Sequence, residues 1–173
     1  MTDLKKYIRD IPDFPRKGII FHDITPLLQN AEAFEAAIDS MAGMLSGQGI
    51  DYLVGIESRG FIFASPLAIK LRTGLVIVRK PGKLPYVTLN ESYDLEYGSD
   101  SLEVHRDAIN PGSRVVLIDD LLATGGTAKA AGDLLKKLGG EIAGYCFLVE
   151  LTELGGAKKL SPQPVWSAVK YEV

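Results

Sequence analysis

One cysteine and two histidines in 173 residues leave this sequence without an internal disulfide and without the ligands for a closed structural zinc site. The cysteine, Cys146, sits inside the apolar run 145–149, which suits a buried thiol better than a nucleophile. Any metal is therefore expected to be held by oxygen. Positive charge is not in surplus either. Lys and Arg number 19 against 22 Asp and Glu, a net charge of −3 that speaks against general affinity for nucleic acid or an anionic membrane. Phosphate binding, if it occurs, must be local. No apolar run approaches the roughly 18 residues of a membrane-crossing helix. The charged stretch 1–10 has neither a secretory nor a transit pattern, so a cytoplasmic protein is expected. Repeats and low-complexity tracts are missing as well. With 46% hydrophobic and 24% charged residues the composition is that of a globular chain, and the length suits one domain over 1–173.

Three short apolar runs, 52–56, 75–78 and 115–118, stop at Glu57, Arg79 and Asp119 and read as buried strands. Helical periodicity follows in 61–71 and 127–138, the latter closed by Gly139 and Gly140. Strands alternating with helices predict an α/β fold with a mostly parallel central sheet flanked by helices. Residues 142–151 and 165–171 supply two further strands. Residues 31–45 form a helix whose apolar face runs through Phe34, Ala37, Ile38, Met41 and Leu45. The first 30 residues, broken by Pro12, Pro15, Gly18 and Pro26, read as a small hood that leaves 19–21 for a special use. Residues 80–98 open with Pro81, Gly82 and Pro85 and carry Tyr86, Tyr93 and Tyr97. An irregular connection of that length is usually functional, and it reads as a flexible lid loop.

The densest chemistry lies in 115–127, VVLIDDLLATGGT. A buried strand ends in Asp119 and Asp120, and Thr124, Gly125, Gly126 and Thr127 then open a helix. Glycines let a ligand approach the backbone closely, and the free N–H groups at the positive end of the helix dipole make a phosphate site. The threonine hydroxyls add donors. The two carboxylates would repel a bare phosphate, since like charges near 4 Å cost about 1 to 4 kcal/mol depending on screening. They must face ribose hydroxyls, or a divalent cation with its waters. A phosphorylated sugar satisfies both halves. The GxxxxGK[ST] loop of nucleotide triphosphatases is missing, and adjacent glycines replace the GxGxxG of dinucleotide folds. The plain structural alternative is a tight turn with an acidic cap.

Two acids after a buried strand, followed by ATGGT, resemble the phosphoribosyl pyrophosphate motif of the type I phosphoribosyltransferases, and most closely that of their adenine-using branch. The likeness extends through FPRKGIIFHDITPLL (14–28), GIESRGF (55–61), RKPGKLP (79–85), SYDLEYG (92–98) and LVELTEL (148–154), so nearly the whole chain takes part. The resemblance implies the type I phosphoribosyltransferase fold, a homodimer, and transfer of the 5-phosphoribosyl group from 5-phosphoribosyl 1-pyrophosphate to N9 of adenine. The products are AMP and pyrophosphate. It also implies Mg2+ on the pyrophosphate, held mainly by substrate and water.

Carried over to this sequence, the resemblance gives each motif a task. Ala123, Thr124, Gly125, Gly126 and Thr127 cradle the 5′-phosphate. Asp119 and Asp120 hold the ribose hydroxyls and favour an oxocarbenium-like sugar. Glu57, Ser58, Arg59, Arg79, Lys83 and Tyr97 serve the pyrophosphate, with a cis peptide between Glu57 and Ser58, and Arg59 and Lys83 are also catalytic. Glu96, in the lid, manages a proton at adenine N7. Without the resemblance, Glu96, Arg79 and Lys83 read equally as solvated side chains. Phe21 and Leu151 each cover a face of adenine, and backbone groups near Ile20 and His22 read its edge. His22 departs from the Arg common at this place, and its side chain is as readily structural as functional. Ala123 stands where the 6-oxopurine enzymes usually carry an Asp. That position and 148–154 disfavour a xanthine or hypoxanthine/guanine enzyme. A phosphoribosyl pyrophosphate-sensing regulator that binds nucleic acid would need a basic face or an added module, for which a chain of charge −3 has no evident space.

Overall fold

Residues 2–94 and 99–172 are described in a computed structural model of the chain, which divides into two compact units, Met1–Ser40 and Met41–Val173. In the first unit a short 3-10 turn, Leu4–Tyr7, leads into an antiparallel hairpin of β1 (Arg9–Pro12) and β2 (Ile20–Asp23), with Asp10 opposite His22 and Ile11 opposite Phe21. Phe14 meets Phe21 edge-on at 5.3 Å between centroids. Helix α1 (Thr25–Gln29) places Pro26 in its first turn, where a missing N–H forfeits no helical bond. Asn30 then accepts the Ala33 N–H at 2.9 Å and starts α2 (Ala31–Leu45), which runs across the boundary between the units.

The second unit contains, in chain order, β3 (Tyr52–Ile56), α3 (Arg59–Leu71), β4 (Gly74–Val78), β5 (Thr88–Asp94), β6 (Ser99–His105), β7 (Arg114–Leu122), α4 (Gly126–Lys137), β8 (Glu141–Leu151), α5 (Gly156–Leu160) and β9 (Val165–Tyr171). Five of these strands form one wholly parallel sheet in the order β4-β3-β7-β8-β9. The apolar runs 52–56 and 115–118 have their reason here, whereas 75–78 is not the buried strand expected, since it lies at the sheet edge with Leu75 and Ile77 exposed. Leu53, Val54, Val116, Leu117, Ile118, Phe147 and Leu148 are all buried, as strands covered on both faces require. Helix α3 packs on β3, β4 and β7, while α4 packs on β7, β8 and the β5–β6 hairpin. Helix α4 closes in a Schellman turn, with Gly139 N–H donating to Lys136 O at 2.9 Å and Gly140 N–H to Leu135 O at 3.0 Å. No described helix is long and apolar enough to cross a membrane.

The strand order positions the site. From β3 the chain crosses to β4 on one side, whereas from β7 it proceeds to β8 and β9 on the other. Strand order thus reverses between β3 and β7, and at such a switch point the loops leaving the carboxyl ends diverge and open a crevice. Glu57 follows β3 and Ala123 follows β7, so the two motifs rich in charge and glycine meet there.

Two further expectations need correction. The strand of the main motif does not stop at Ile118. It continues to Leu122, because the eleven-residue β8 keeps pairing with it, Asp119 opposite Phe147 and Leu122 opposite Glu150. Both carboxylates therefore lie within the strand and not at its end. The segment 80–98 is not irregular throughout either, since its residues 88–94 pair antiparallel with 99–105. Leu89 and Tyr93 on β5 and the fully buried Leu102 and Val104 on β6 pack into the same core as Leu134 and Leu135 of α4. The hairpin is thus anchored at its base. Leu102→Ala should lower the unfolding free energy by about 2 to 5 kcal/mol in urea titrations, whereas a loss below about 0.5 kcal/mol, the level of an ordinary surface change, would mean that the hairpin is not part of the core.

Candidate functional site

At the carboxyl end of β7 a cavity of about 200 Å³ is lined by Arg59 and residues 119–128. It thus gathers Asp119, Asp120, Ala123, Thr124, Gly125, Gly126 and Thr127 with the first residue of α3. The N-cap of α4 is Gly125, at a φ of 77°, and it offers no side-chain acceptor. The first-turn N–H groups of a helix lack intrahelical partners, so here they remain as donors at the positive end of the dipole. That is the chemistry a phosphate monoester requires.

Asp119 and Asp120 are adjacent and withdrawn from water, and Asp120 retains only 5% of its side-chain exposure. Burial, together with the neighbouring Asp120 charge, pushes the Asp119 carboxyl well above its ordinary range. Burial also raises Asp120, against the pull of Arg59, whose Nε lies 3.0 Å from Asp120 Oδ2. Arg59 can approach so closely because Gly60 follows it. A Cβ on Gly60 would fall 2.5 Å from the Ile118 carbonyl and 3.2 Å from Asp119 Oδ1.

The remaining basic residues form a second cluster around Glu57. Its carboxylate accepts the Lys80 backbone N–H at 2.7 Å and Arg79 Nε at 3.3 Å, and it is paired with Lys83 Nζ. Burial alone would raise the Glu57 pKa, but the bonds from Lys83, Lys80 and Arg79 outweigh it and hold the carboxyl at about 2. The Glu57–Ser58 peptide is cis, as the resemblance implies, and Ser58 is the N-cap of α3. Arg59, Arg79 and Lys83 are therefore each held by a carboxylate of the protein, Asp120 in one case and Glu57 in the other two.

Ile20, Phe21 and His22 all lie on β2 in the first unit, and Leu151 ends β8 in the second. The His22 side chain is bonded to Asp10, Nδ1 to Oδ1 at 2.7 Å, and only 6% of it is exposed. Glu96 and Tyr97 lie outside the described residues. Cys146 is buried as expected, and burial pushes its thiol up to about 12.

One contributor escaped the sequence reading. The Tyr93 hydroxyl lies 3.3 Å from Thr127 Oγ1 and 3.3 Å from Asp100 Oδ2, and Asp100 is paired with Lys80. The bond from Lys80 lowers the Asp100 pKa; Lys80 is raised, because that bond outweighs its burial. Tyr93 thus ties the β5–β6 hairpin to the loop that opens α4. The tyrosine was visible in the sequence, but nothing local indicated its partner 34 positions away.

A phosphoribosyl transferase domain family matches residues 27–173. An adenine phosphoribosyltransferase from Pseudothermotoga lettingae is 57% identical over 169 residues, which span 98% of this chain and 99% of that protein. The crystal structure of adenine phosphoribosyltransferase from Thermoanaerobacter pseudethanolicus has a TM-score of 0.95 to this chain at 52% identity and covers 98% of both. The Saccharomyces cerevisiae enzyme, solved with an imino-altritol bisphosphate and adenine, has a TM-score of 0.90 at 42% identity, covering 95% of this chain and 96% of that one.

The Glu57 cluster has a pH signature. A carboxyl depressed in the folded state contributes stability that is complete above its unfolded pKa of 4.5 and is lost as the pH falls toward about 2. Wild type and Glu57→Gln should therefore differ in unfolding free energy at neutral pH and converge as acid is added below 4.5. A gap that stays constant across that range would remove the charge of Glu57 as its source.

Proposed function

The chain belongs to the adenine phosphoribosyltransferases within the phosphoribosyl transferase family, and we propose that its switch-point cavity is where it does their chemistry. It transfers the 5-phosphoribosyl group from 5-phosphoribosyl 1-pyrophosphate to adenine N9, giving AMP and pyrophosphate in purine salvage. The observation that carries the site assignment is one cavity lined at once by two carboxylates, an arginine and a glycine-rich helix start.

In this reading the 5′-phosphate sits on the N–H groups and hydroxyls of 123–127. Asp119 and Asp120 accept the ribose hydroxyls, which adds donors to two crowded carboxylates and keeps negative charge beside the sugar as its anomeric carbon becomes cationic. Arg59, Arg79 and Lys83 pass from their internal carboxylates to the pyrophosphate, with Ser58 and Tyr97 beside them. The leaving group thus departs into positive charge that Asp120 and Glu57 had held in place. Phe21 and Leu151 each serve adenine as an apolar face. With the His22 side chain committed to Asp10, backbone groups at Ile20 and His22 are left to read the base. Glu96 bonds adenine N7, a task that falls to it because position 123 is Ala.

Phosphoribosyltransferases generally use Mg2+ with this substrate. Among the described residues no group of three or more His, Cys, Asp or Glu is placed to hold a metal, and the carboxylates at the cavity are those of Asp119 and Asp120. Hard oxygen donors suit Mg2+ with its own waters, and the ion, when bound, neutralises the pyrophosphate. The reading also treats both units as one phosphoribosyltransferase domain. A cytoplasmic location belongs to the same proposal, and no described helix is long and apolar enough to cross a membrane.

Homodimerisation belongs to the same proposal. Strand β4 is an edge of the sheet, and its exposed Leu75 and Ile77 alternate with the buried Val76 and Val78. Ile69 of α3 is 81% exposed, and Tyr86 and Val87 are exposed after β4. Exposed apolar side chains on an edge strand and in the segments next to it in sequence are what a second copy would cover. In light scattering the wild type should have twice the chain mass, and Ile69→Glu combined with Leu75→Lys should yield monomers; a monomeric wild type would end this part of the reading.

The substrate assignment is tested by supplying 5-phosphoribosyl 1-pyrophosphate and Mg2+ with adenine, hypoxanthine, guanine or xanthine in turn. Nucleotide should form with adenine alone, and comparable turnover of an oxopurine would overturn the base assignment.

A further inference from the structure

The phosphate loop is braced from outside its motif by a turn that the likeness to known enzymes leaves unassigned. The β8 strand ends at Leu151, a 3-10 turn covers Thr152–Leu154, and Gly155 and Gly156 then begin α5. Gly156 is buried. A Cβ placed on it would fall 2.3 Å from the Ala123 carbonyl oxygen and 2.8 Å from Leu122 Cδ1. The contact is reciprocal, for a Cβ on Gly125 would fall 2.9 Å from the Gly156 carbonyl oxygen and 3.2 Å from its Cα. Two stretches of backbone therefore touch with no side chain between them, across 31 positions of sequence.

The consequence follows from peptide geometry. The Ala123 carbonyl and the Thr124 N–H belong to one rigid plane and point in opposite directions. Whatever presses on that oxygen fixes where the N–H aims. Gly156 lies on the carbonyl side, and the proposed phosphate site is the N–H side. We infer that Gly156 is a positioning residue for the 5′-phosphate of the ribosyl substrate, orienting the Ala123–Thr124 peptide through direct backbone contact. The inference rests on the reading that 123–127 hold this phosphate. It deepens that reading by adding a residue that touches neither substrate nor reacting atoms.

Gly156→Ala forces the oxygen away and turns the peptide. The KM for 5-phosphoribosyl 1-pyrophosphate should rise roughly 10- to 100-fold, as small misplacements of binding groups do, while the KM for adenine stays near the wild-type value. Gly155→Ala is the control. Gly155 has a φ of +70°, yet a Cβ there meets no atom within 4 Å, so the variant is strained without pressing on the loop. It should lose thermal stability and keep its KM for the phosphoribosyl substrate. Equal KM changes for both substrates in Gly156→Ala, or the same KM change in Gly155→Ala, would reduce Gly156 to a structural role and overturn the inference.

A measurement on the wild type decides the matter even if Gly156→Ala fails to fold. Ribose 5-phosphate should slow amide exchange at Gly156 together with Thr124 and Thr127, and adenine alone should not. Protection at Thr124 and Thr127 without any at Gly156 overturns the inference and leaves the phosphate assignment standing. No protection at Thr124 and Thr127 defeats the phosphate assignment itself, and the inference falls with it.

Discussion

Two adjacent carboxylates fixed near the carboxyl end of a central strand are the constraint from which the rest of the site follows. Asp119 and Asp120 cannot both carry charge there without help, because burial and mutual repulsion act in the same direction. Arg59 supplies the help, and its position depends on α3 starting against β7 at Gly60, where no side chain would fit. The sheet order makes this encounter possible by setting β3 and β7 side by side with their helices leaving in opposite directions. Fold, glycine and arginine are thus parts of one solution to a charge problem.

The opposite problem arises a few residues away, where cations rather than anions are crowded. Arg79, Lys83 and the Lys80 N–H converge on Glu57, and their bonds lower its pKa despite its burial. Both clusters are balanced internally. Three cationic side chains are thus each held by a carboxylate of the protein itself, in a chain whose net charge is −3.

The parts legible in the sequence were those whose signal is local. The parallel strands were visible as uninterrupted Val, Ile and Leu, and the loop 124–127 as glycine and threonine at the start of a helical pattern. The extension of β7 through Asp119 and Asp120 was not visible, because two acids look like the end of a strand until β8 is seen to pair alongside them. The β5–β6 hairpin was hidden by polar residues on alternate positions and by the prolines before it; among the described residues Leu89, Tyr93, Leu102 and Val104 join it to the core. The pairs Arg59–Asp120 and Arg79–Glu57, and the backbone contact between Gly125 and Gly156, join positions 22 to 61 residues apart. No window along the chain holds both partners of any of them.

Under the proposed site assignment, internal balance would favour an intact phosphoribosyl pyrophosphate over its fragments. Pyrophosphate alone would draw Arg59 away and leave Asp120 buried without a cation, an arrangement that low exposure makes costly. Ribose 5-phosphate alone would bring hydroxyls to carboxylates while Arg59 stays engaged with one of them. A ligand carrying hydroxyls and pyrophosphate on one sugar supplies both exchanges together: the cation moves to the phosphates as the hydroxyls take its place on Asp120. Under that assignment the joined molecule would be recognised through the cost of satisfying either half by itself.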